Sequence, residues 1–174
     1  YNILNKKKRP INNTPFIGLE YTNNQILNSI KRRKIKFEIL NNKYKFIAKQ
    51  CFNNKVIAFF NGKFEFGDRA LGSRSIIANP LSKNIKDIVN NSIKYREKYR
   101  PFAPSVTLEE FSKYFENSNC KSNFYMERVF KIKKEYQKKL PGVAHLDNTA
   151  RVQTVDNKYS PEFYKILREF ENIS

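Results

Sequence analysis

The chain has 174 residues, 40% hydrophobic and 14% aromatic, enough for about one domain with a real core. Its 34 lysines and arginines outnumber 16 aspartates and glutamates, a net charge of +18 that favours an anionic partner. No apolar run approaches the roughly 20 residues that cross a bilayer and no secretory leader opens the chain, which argues against a helical membrane protein and points to the cytoplasm.

Residues 1–20 are polar and carry Pro10 and Pro15, so they predict an extended lead-in. The start at Tyr1 rather than Met predicts a piece of a longer protein, with residues 21–174 as its domain. Thr22 predicts a helix cap, followed by Ile26, Leu27 and Ile30 on one face. Lys36–Leu40 alternates as a short strand. Asn42 starts a second helix with Phe46, Ile47 and Phe52 inward. Lys55–Phe60, "KVIAFF", is nearly continuous in apolar character and suits a sheet centre. Ser75–Ala78 reads as another strand, broken by Pro80. Ser82 predicts a cap for a helix carrying Ile85, Ile88, Val89 and Ile93. Pro101 and Pro104 forbid helix through the segment that follows. Thr107 with Glu110 forms a capping-box pattern, for a helix to about Phe115. Phe124–Ile132 and Ala150–Val155 alternate as strands. Ser160-Pro161 is a cap followed by proline at the first helical turn, with Phe163, Ile166, Leu167 and Phe170 inward. The irregular alternation predicts an α/β or α+β fold with a mixed sheet. Cys51 and Cys120 are isolated, in no metal-ligand spacing, and read as free thiols.

The chemistry concentrates in "GKFEFGDRALGSRS", Gly62 to Ser75. Glycine lets backbone N–H groups approach a ligand, and the guanidinium fork of Arg matches phosphate and carboxylate in a way Lys does not. Gly67, Gly72, Arg69 and Arg74 therefore form a candidate anion site. The competing reading is a tight turn whose arginines pair with Glu65, Asp68 and Asp87. No GxxxxGK[ST] or GxGxxG occurs. Lys94, Arg96 and Arg100 crowd ahead of Pro101, either as a second phosphate contact or as a solvated basic segment. Tyr95 and Tyr99 there read as core, or as stacking surfaces for a base. His145 and Asp147 are too few for a metal site and read as a hydrogen-bonded pair or a hinge. Lysine is spread along the chain, with runs at Asn5–Arg9 and Lys31–Lys34 read as solvated surface, so a nucleic-acid track is not the expected partner.

"NGKFEFGDRALGSRSIIANP" followed by "IKYREKYRPFAPSV", with "PFIGLEYT" and "HLDNTARVQTV", resembles the C-terminal domain of the NodU-type O-carbamoyltransferases across nearly the whole chain. The resemblance implies a YrdC-like fold, a twisted mixed parallel and antiparallel sheet flanked by helices. It also implies an activity: ATP and carbamoyl phosphate give carbamoyl adenylate, with Mg²⁺ as cofactor. A separate N-terminal domain, in cis or as another chain, passes the carbamoyl group to a substrate hydroxyl. Iron or another metal is expected only in that domain. The resemblance implies that Arg69 and Arg74 contact phosphoryl oxygens and stabilise charge at the transferring centre. Gly67 and Gly72 bring backbone close, Lys94, Arg96 and Arg100 neutralise the triphosphate, and Arg151 completes the cage. No covalent nucleophile is required. Two departures stand out: Asp68 where the family usually has proline, which could pair with Arg69 or hold Mg²⁺, and Asn148 where it has glycine. Asn tolerates the left-handed conformation well enough to keep that turn. Two other functions fit the sequence: a basic RNA-binding YrdC-like module, and a non-catalytic partner subunit.

Overall fold

The computed structural model describes residues 14–97, 99–116 and 120–174. The basic run Asn5–Arg9, Pro10 and most of the expected lead-in lie outside the described residues. Where description begins, the chain lies along residues 64–66: Gly18 N–H donates to the Phe64 carbonyl at 3.0 Å and Phe64 N–H to the Leu19 carbonyl at 3.1 Å. Helix α1 (Asn23–Arg32) opens with a capping box in which Thr22 Oγ1 accepts the Gln25 N–H and Gln25 Oε1 accepts the Thr22 N–H. None of its residues is buried. The expected strand at 36–40 does not form; residues 35–40 are irregular and exposed, because no partner strand reaches them. Helix α2 (Lys43–Phe52) is capped by Asn42, whose Oδ1 accepts the Lys45 N–H at 3.1 Å. Its covered stripe is Tyr44, Ile47, Ala48 and Cys51, at helical spacing. That stripe packs on the last helix and Phe46 faces outward, against the sequence expectation, while the half-exposed Phe52 ring keeps an edge contact with Phe170 of the last helix at 6.3 Å.

Strand β1 (Ile57–Phe60) pairs antiparallel with β2 (Arg74–Ile77), Phe60 opposite Arg74. This is a two-stranded ribbon and not a sheet centre; coverage alternates along β1. The run "KVIAFF" is continuously apolar because outward-facing Phe60 stacks on an arginine. Helix α3 (Ile85–Val89) buries Ile85 and Val89 and leaves Ile88 and Ile93 exposed. Ser82 makes no cap, since the helix starts later, at Ile85 with Asn84 before it. It runs into a π-helical turn, Asn90–Lys94, stopped by Tyr95 at φ 46°. Tyr95 and Tyr99 are both 80% exposed, so neither is a core residue.

Strand β3 (Ser105–Thr107) pairs parallel with β6 (Gln153–Val155), and β4 (Phe130–Lys131) pairs antiparallel with β5 (Thr149–Ala150). Thr107 ends β3 and caps nothing, so α4 (Phe111–Tyr114) is a single turn. Only the end of the expected strand 124–132 pairs. Upstream, the buried Asn123 amide donates to the carbonyls of Val152 at 2.7 Å and Arg128 at 3.2 Å, fixing a loop in which Met126 takes φ 55°. The strand expected at 150–155 divides into β5 and β6 because its two ends serve different partners. A short turn, α5 (Lys134–Gln137), and the closing helix α6 (Pro161–Glu171) complete the chain. Proline stands at the start of α6, and Phe163 and Ile166 are buried, as expected.

The fold is mixed α/β, with parallel and antiparallel pairing distributed over three two-stranded sheets among the described residues. One core gathers Phe111, Phe115, Phe130, Ile132 and Val152, with the Phe111 and Phe130 rings edge to face at 4.9 Å. A second gathers Val155, Phe163 and Ile166 under α2 and β1–β2. Tyr44 donates to Glu162 at 2.8 Å and Lys43 pairs with the same carboxylate, tying α2 to α6. Both cysteines are free. No helix of the described residues is long and apolar enough to cross a membrane.

Candidate functional site

The loop between β1 and β2 is organised by one carboxylate. Glu65 Oε1 accepts the N–H groups of Leu71 at 3.0 Å, Ser73 at 2.6 Å and Arg74 at 2.9 Å. Burial pushes the Glu65 carboxyl up, but the backbone N–H groups of Arg74, Ser73 and Leu71 together outweigh it, and its pKa is lowered. Glu65 therefore pairs with backbone and not with an arginine side chain. Gly72, at φ 106°, donates its N–H to Ser75 Oγ at 2.9 Å and lies against Phe163, where a Cβ would sit 2.5 Å from the ring. Gly67, at φ 128°, faces open space, with nothing within 4 Å of where its Cβ would be.

Arg74 is held through its terminal nitrogens and ring contacts, while its Nε is buried without a hydrogen-bond partner among the described residues. Nη1 donates to the carbonyls of Asn61 at 2.6 Å and Ser73 at 3.0 Å, and Nη2 to that of Gly62 at 2.9 Å. The guanidinium carbon sits 3.4 Å from the Phe60 ring centre and 4.1 Å from that of Phe64. With most of its donors engaged by backbone, Arg74 fixes the ribbon and the loop.

The remaining basic candidates fall into two cavities. The first, of about 310 Å³, is largely apolar; Lys94 and Arg96 line it with Phe102, Ser105, Gln153 and Phe163. Arg96 lies over the Phe102 ring at 4.6 Å, and its Nε is buried without a partner among the described residues. The second, of about 300 Å³, is lined by Gly67, Arg69 and Arg151 together with Asp68, Tyr125 and Glu127. Met126 borders both cavities. Ala70 faces the first and Leu71 the second, so the glycine-rich loop stands at their common wall. Among the described residues neither Arg69 nor Arg151 makes an ion pair. Arg100 lines neither cavity; it is exposed and sits 3.8 Å from Glu97. The sequence thus anticipates one cage, and the structure separates Lys94 and Arg96 from Gly67, Arg69 and Arg151.

His145 and Asp147 meet through Thr149. Thr149 Oγ1 donates to Asp147 Oδ1 at 2.7 Å and lies 3.0 Å from His145 Nδ1. Burial lowers the His145 pKa; Asp147 opposes this, while Lys86 and Arg151 reinforce it. No group of three or more His, Cys, Asp or Glu fit for a metal ion occurs among the described residues. Asn148 takes φ 60°, so the turn keeps the left-handed conformation.

Gln153 was not singled out from sequence, yet it joins strand to loop: Nε2 donates to the Leu71 carbonyl at 2.7 Å, and Oε1 accepts from Ser105 Oγ at 2.9 Å. It is 4% exposed on a strand whose residues are all buried, so no polar–apolar alternation marks it out. Asn123 escaped notice for a similar reason, since its partners lie about thirty positions away, at Val152 and Thr154. Glu65 carries a visible signal, a single acid between two phenylalanines ahead of a glycine.

Residues 48–174, which include every residue lining the two cavities, match the Carbamoyltransferase C-terminus family. The chain is 37% identical over 165 residues to an uncharacterised protein of Methanocaldococcus jannaschii, covering 92% of this chain and 27% of that protein. It is 39% identical over 120 residues to nodulation protein NolO of Bradyrhizobium diazoefficiens, covering 68% of this chain and 22% of the relative. Nodulation protein U of Sinorhizobium fredii is 36% identical over 128 residues, covering 74% of this chain and 22% of the relative. The chain spans about a quarter of the length of these relatives. With the family's match running over all of the loop, both arginine-lined cavities and the closing helix, the chain belongs to the carbamoyltransferase C-terminus family.

Proposed function

We propose that the chain is the nucleotide- and carbamoyl-phosphate-binding portion of an O-carbamoyltransferase. The observation that carries this reading is the pair of cavities, each with two basic side chains on its wall, meeting at Met126 within the family-matched segment. The larger, mainly apolar cavity suits a nucleoside, with Lys94 and Arg96 at the triphosphate. The second would take a small anion such as carbamoyl phosphate on Arg69 and Arg151 and against the open backbone at Gly67, with Asp68 and Glu127 left to the nucleotide-side Mg²⁺ or to the opposite wall. Reaction at the shared wall would give carbamoyl adenylate, with one water consumed and phosphate and pyrophosphate released. Mg²⁺ would bind with the nucleotide phosphates, neutralising their charge. Arg74 acts as a positioning residue, since its donors already serve the loop. Transfer to an acceptor hydroxyl would fall to a further protein module.

Calorimetric titration with a non-hydrolysable ATP analogue and Mg²⁺ tests the reading. Binding in the micromolar to millimolar range, weakened at least tenfold by Arg96→Ala, is expected. Equal binding by Arg96→Ala would remove the nucleotide from this cavity.

A further inference from the structure

Residues 36–40 alternate as a strand does and have nothing to pair with. Among the described residues no hydrogen bond or ion pair involves any of them. Every residue from Lys31 to Lys43 is exposed, so neither flank of the segment is covered. Ile35, Phe37 and Ile39 are 53%, 44% and 84% exposed. In an extended segment these three share one face, and Lys36 and Glu38 share the other. Both ends of the segment are fixed. α1 closes with Lys34 at φ 54°, the Lys34 N–H donating to the Lys31 carbonyl at 3.0 Å and the Ile35 N–H to that of Ile30 at 3.1 Å, which turns the chain out of the helix in one direction. Asn42 caps α2 at the other end. Unpaired backbone held at both ends is a preorganised edge for another strand.

We propose that residues 35–39 pair antiparallel with the same residues of a second copy of this chain, about a two-fold axis at Phe37. In an antiparallel pair, directly opposite side chains lie on the same face, so the register decides which of them meet. With the axis at Phe37, Ile35 stands opposite Ile39 of the second copy, Phe37 opposite Phe37, and Lys36 opposite Glu38; symmetry makes the first and last of these contacts twice. Lys34 faces Leu40 and Arg33 faces Asn41, so no cation meets a cation across the ribbon. Other axes lose this match. An axis at Lys36 or at Glu38 sets like charges opposite each other. An axis between Lys36 and Phe37, or between Phe37 and Glu38, sets each charged residue against an apolar one. An axis at Ile39 leaves Glu38 against Leu40. The net charge of +18 does not forbid the contact, because at physiological salt charges more than about 8 Å apart are largely screened. Five residues a side make far less than a standard interface, so the association is weak and grows with concentration.

Disulfide capture under a mild oxidant tests both the contact and its register, and registers a weak association. Opposite Cα atoms of an antiparallel pair lie about 4.5–5.5 Å apart, within disulfide reach, whereas positions four residues out of register lie about 14 Å apart. Phe37→Cys should link to itself at least tenfold faster than Ile39→Cys, although Ile39 is the more exposed. Ile35→Cys mixed with Ile39→Cys keeps Phe37 and should link at least tenfold faster than either variant alone. Adding Lys36→Glu to both chains of that mixture should slow capture at least fivefold, and Lys36→Glu together with Glu38→Lys should restore it. The parent chain, with Cys51 buried and Cys120 half-buried, sets the background. Ile39→Cys linking as fast as Phe37→Cys overturns the proposal, since exposure alone would then set the rate. A mixture no faster than its parts, or a charge exchange that fails to restore capture, overturns it as well. So does linking at the background rate in every variant; if phosphatidylglycerol vesicles then shield the introduced thiols from maleimide, the segment serves an anionic membrane surface instead.

Discussion

Arg69 and Arg74 stand five positions apart in one loop and have opposite fates. Arg74 lies between two phenylalanine rings with its terminal nitrogens on three backbone carbonyls. Arg69 is exposed on a cavity wall and pairs with no acid among the described residues. Residue type alone does not separate a structural arginine from one left free for a ligand. What separates them is whether backbone carbonyls and aromatic faces have already taken up the guanidinium. The glycines divide in the same way, Gly72 packed against Phe163 and Gly67 open. The loop is therefore half scaffold and half open cavity wall, with Glu65 gathering the backbone of the scaffold half.

The sharpest way to break this division is at the glycines. Gly72→Ala must hold φ 106° and place a methyl 2.5 Å from the Phe163 ring. Left-handed strain and overpacking together should cost about 4 kcal/mol. Gly67→Ala meets only the backbone strain, about 1–2 kcal/mol. Urea unfolding of both variants measures the gap, and equal losses would mean that Phe163 yields to the methyl. Next in size is Arg74→Met, which removes the donors to Asn61, Ser73 and Gly62. A loss of about 3 kcal/mol is expected, since hydrogen bonds from a charged group are worth about 1.5–3 kcal/mol each and do not add fully. A fully stable Arg74→Met variant would return Arg74 to the list of free ligands.

How much of this was legible depended on how local the cause was. Thr22 and Asn42 cap their helices, and Pro161 opens α6, because capping is decided within four residues. Lys36–Leu40 alternates like a strand yet stays irregular, because alternation has no effect without a neighbouring strand. Thr107 and Glu110 match the capping box, but pairing of Ser105–Thr107 with β6 takes Thr107 into a strand first. In the site, the basic residues were legible as types and their grouping was not. Arg151 shares its cavity wall with Met126 and Glu127, and the loop that carries those two is tied down by the Asn123 amide donating to the Val152 carbonyl. Nothing near Asn123 in sequence announces that contact.

Glu65 offers a smaller effect with a pH signature. Its pKa is lowered in the folded chain, so its contribution is fully present above the unfolded carboxyl value, about 4.3, and is lost as pH falls through the folded value. Glu65→Gln keeps an acceptor but loses its charge, and should cost about 2 kcal/mol at pH 7. The stability curves of the parent and the variant should converge as pH falls through the lowered folded value, where Glu65 itself becomes neutral. Curves that stay parallel from pH 7 down to acid unfolding would show that shape, and not charge, holds the loop.

The smallest expected change in stability belongs to Arg69, and for that reason it tests the division most directly. Its side chain is exposed and engages no acid among the described residues, so Arg69→Ala should change unfolding free energy by no more than about 0.5 kcal/mol. Its guanidinium is one of two beside the open backbone at Gly67, and under the proposed function losing it should weaken carbamoyl phosphate binding about tenfold or more, from one charge-assisted contact. Stability by urea and affinity by calorimetry, measured on the same preparation, should therefore move independently: Arg74→Met lowers the first, and Arg69→Ala lowers the second alone. If Arg69→Ala instead destabilises the chain and leaves affinity unchanged, the cavity is a packing gap beside a structural arginine, and the anion site must be sought with Lys94 and Arg96.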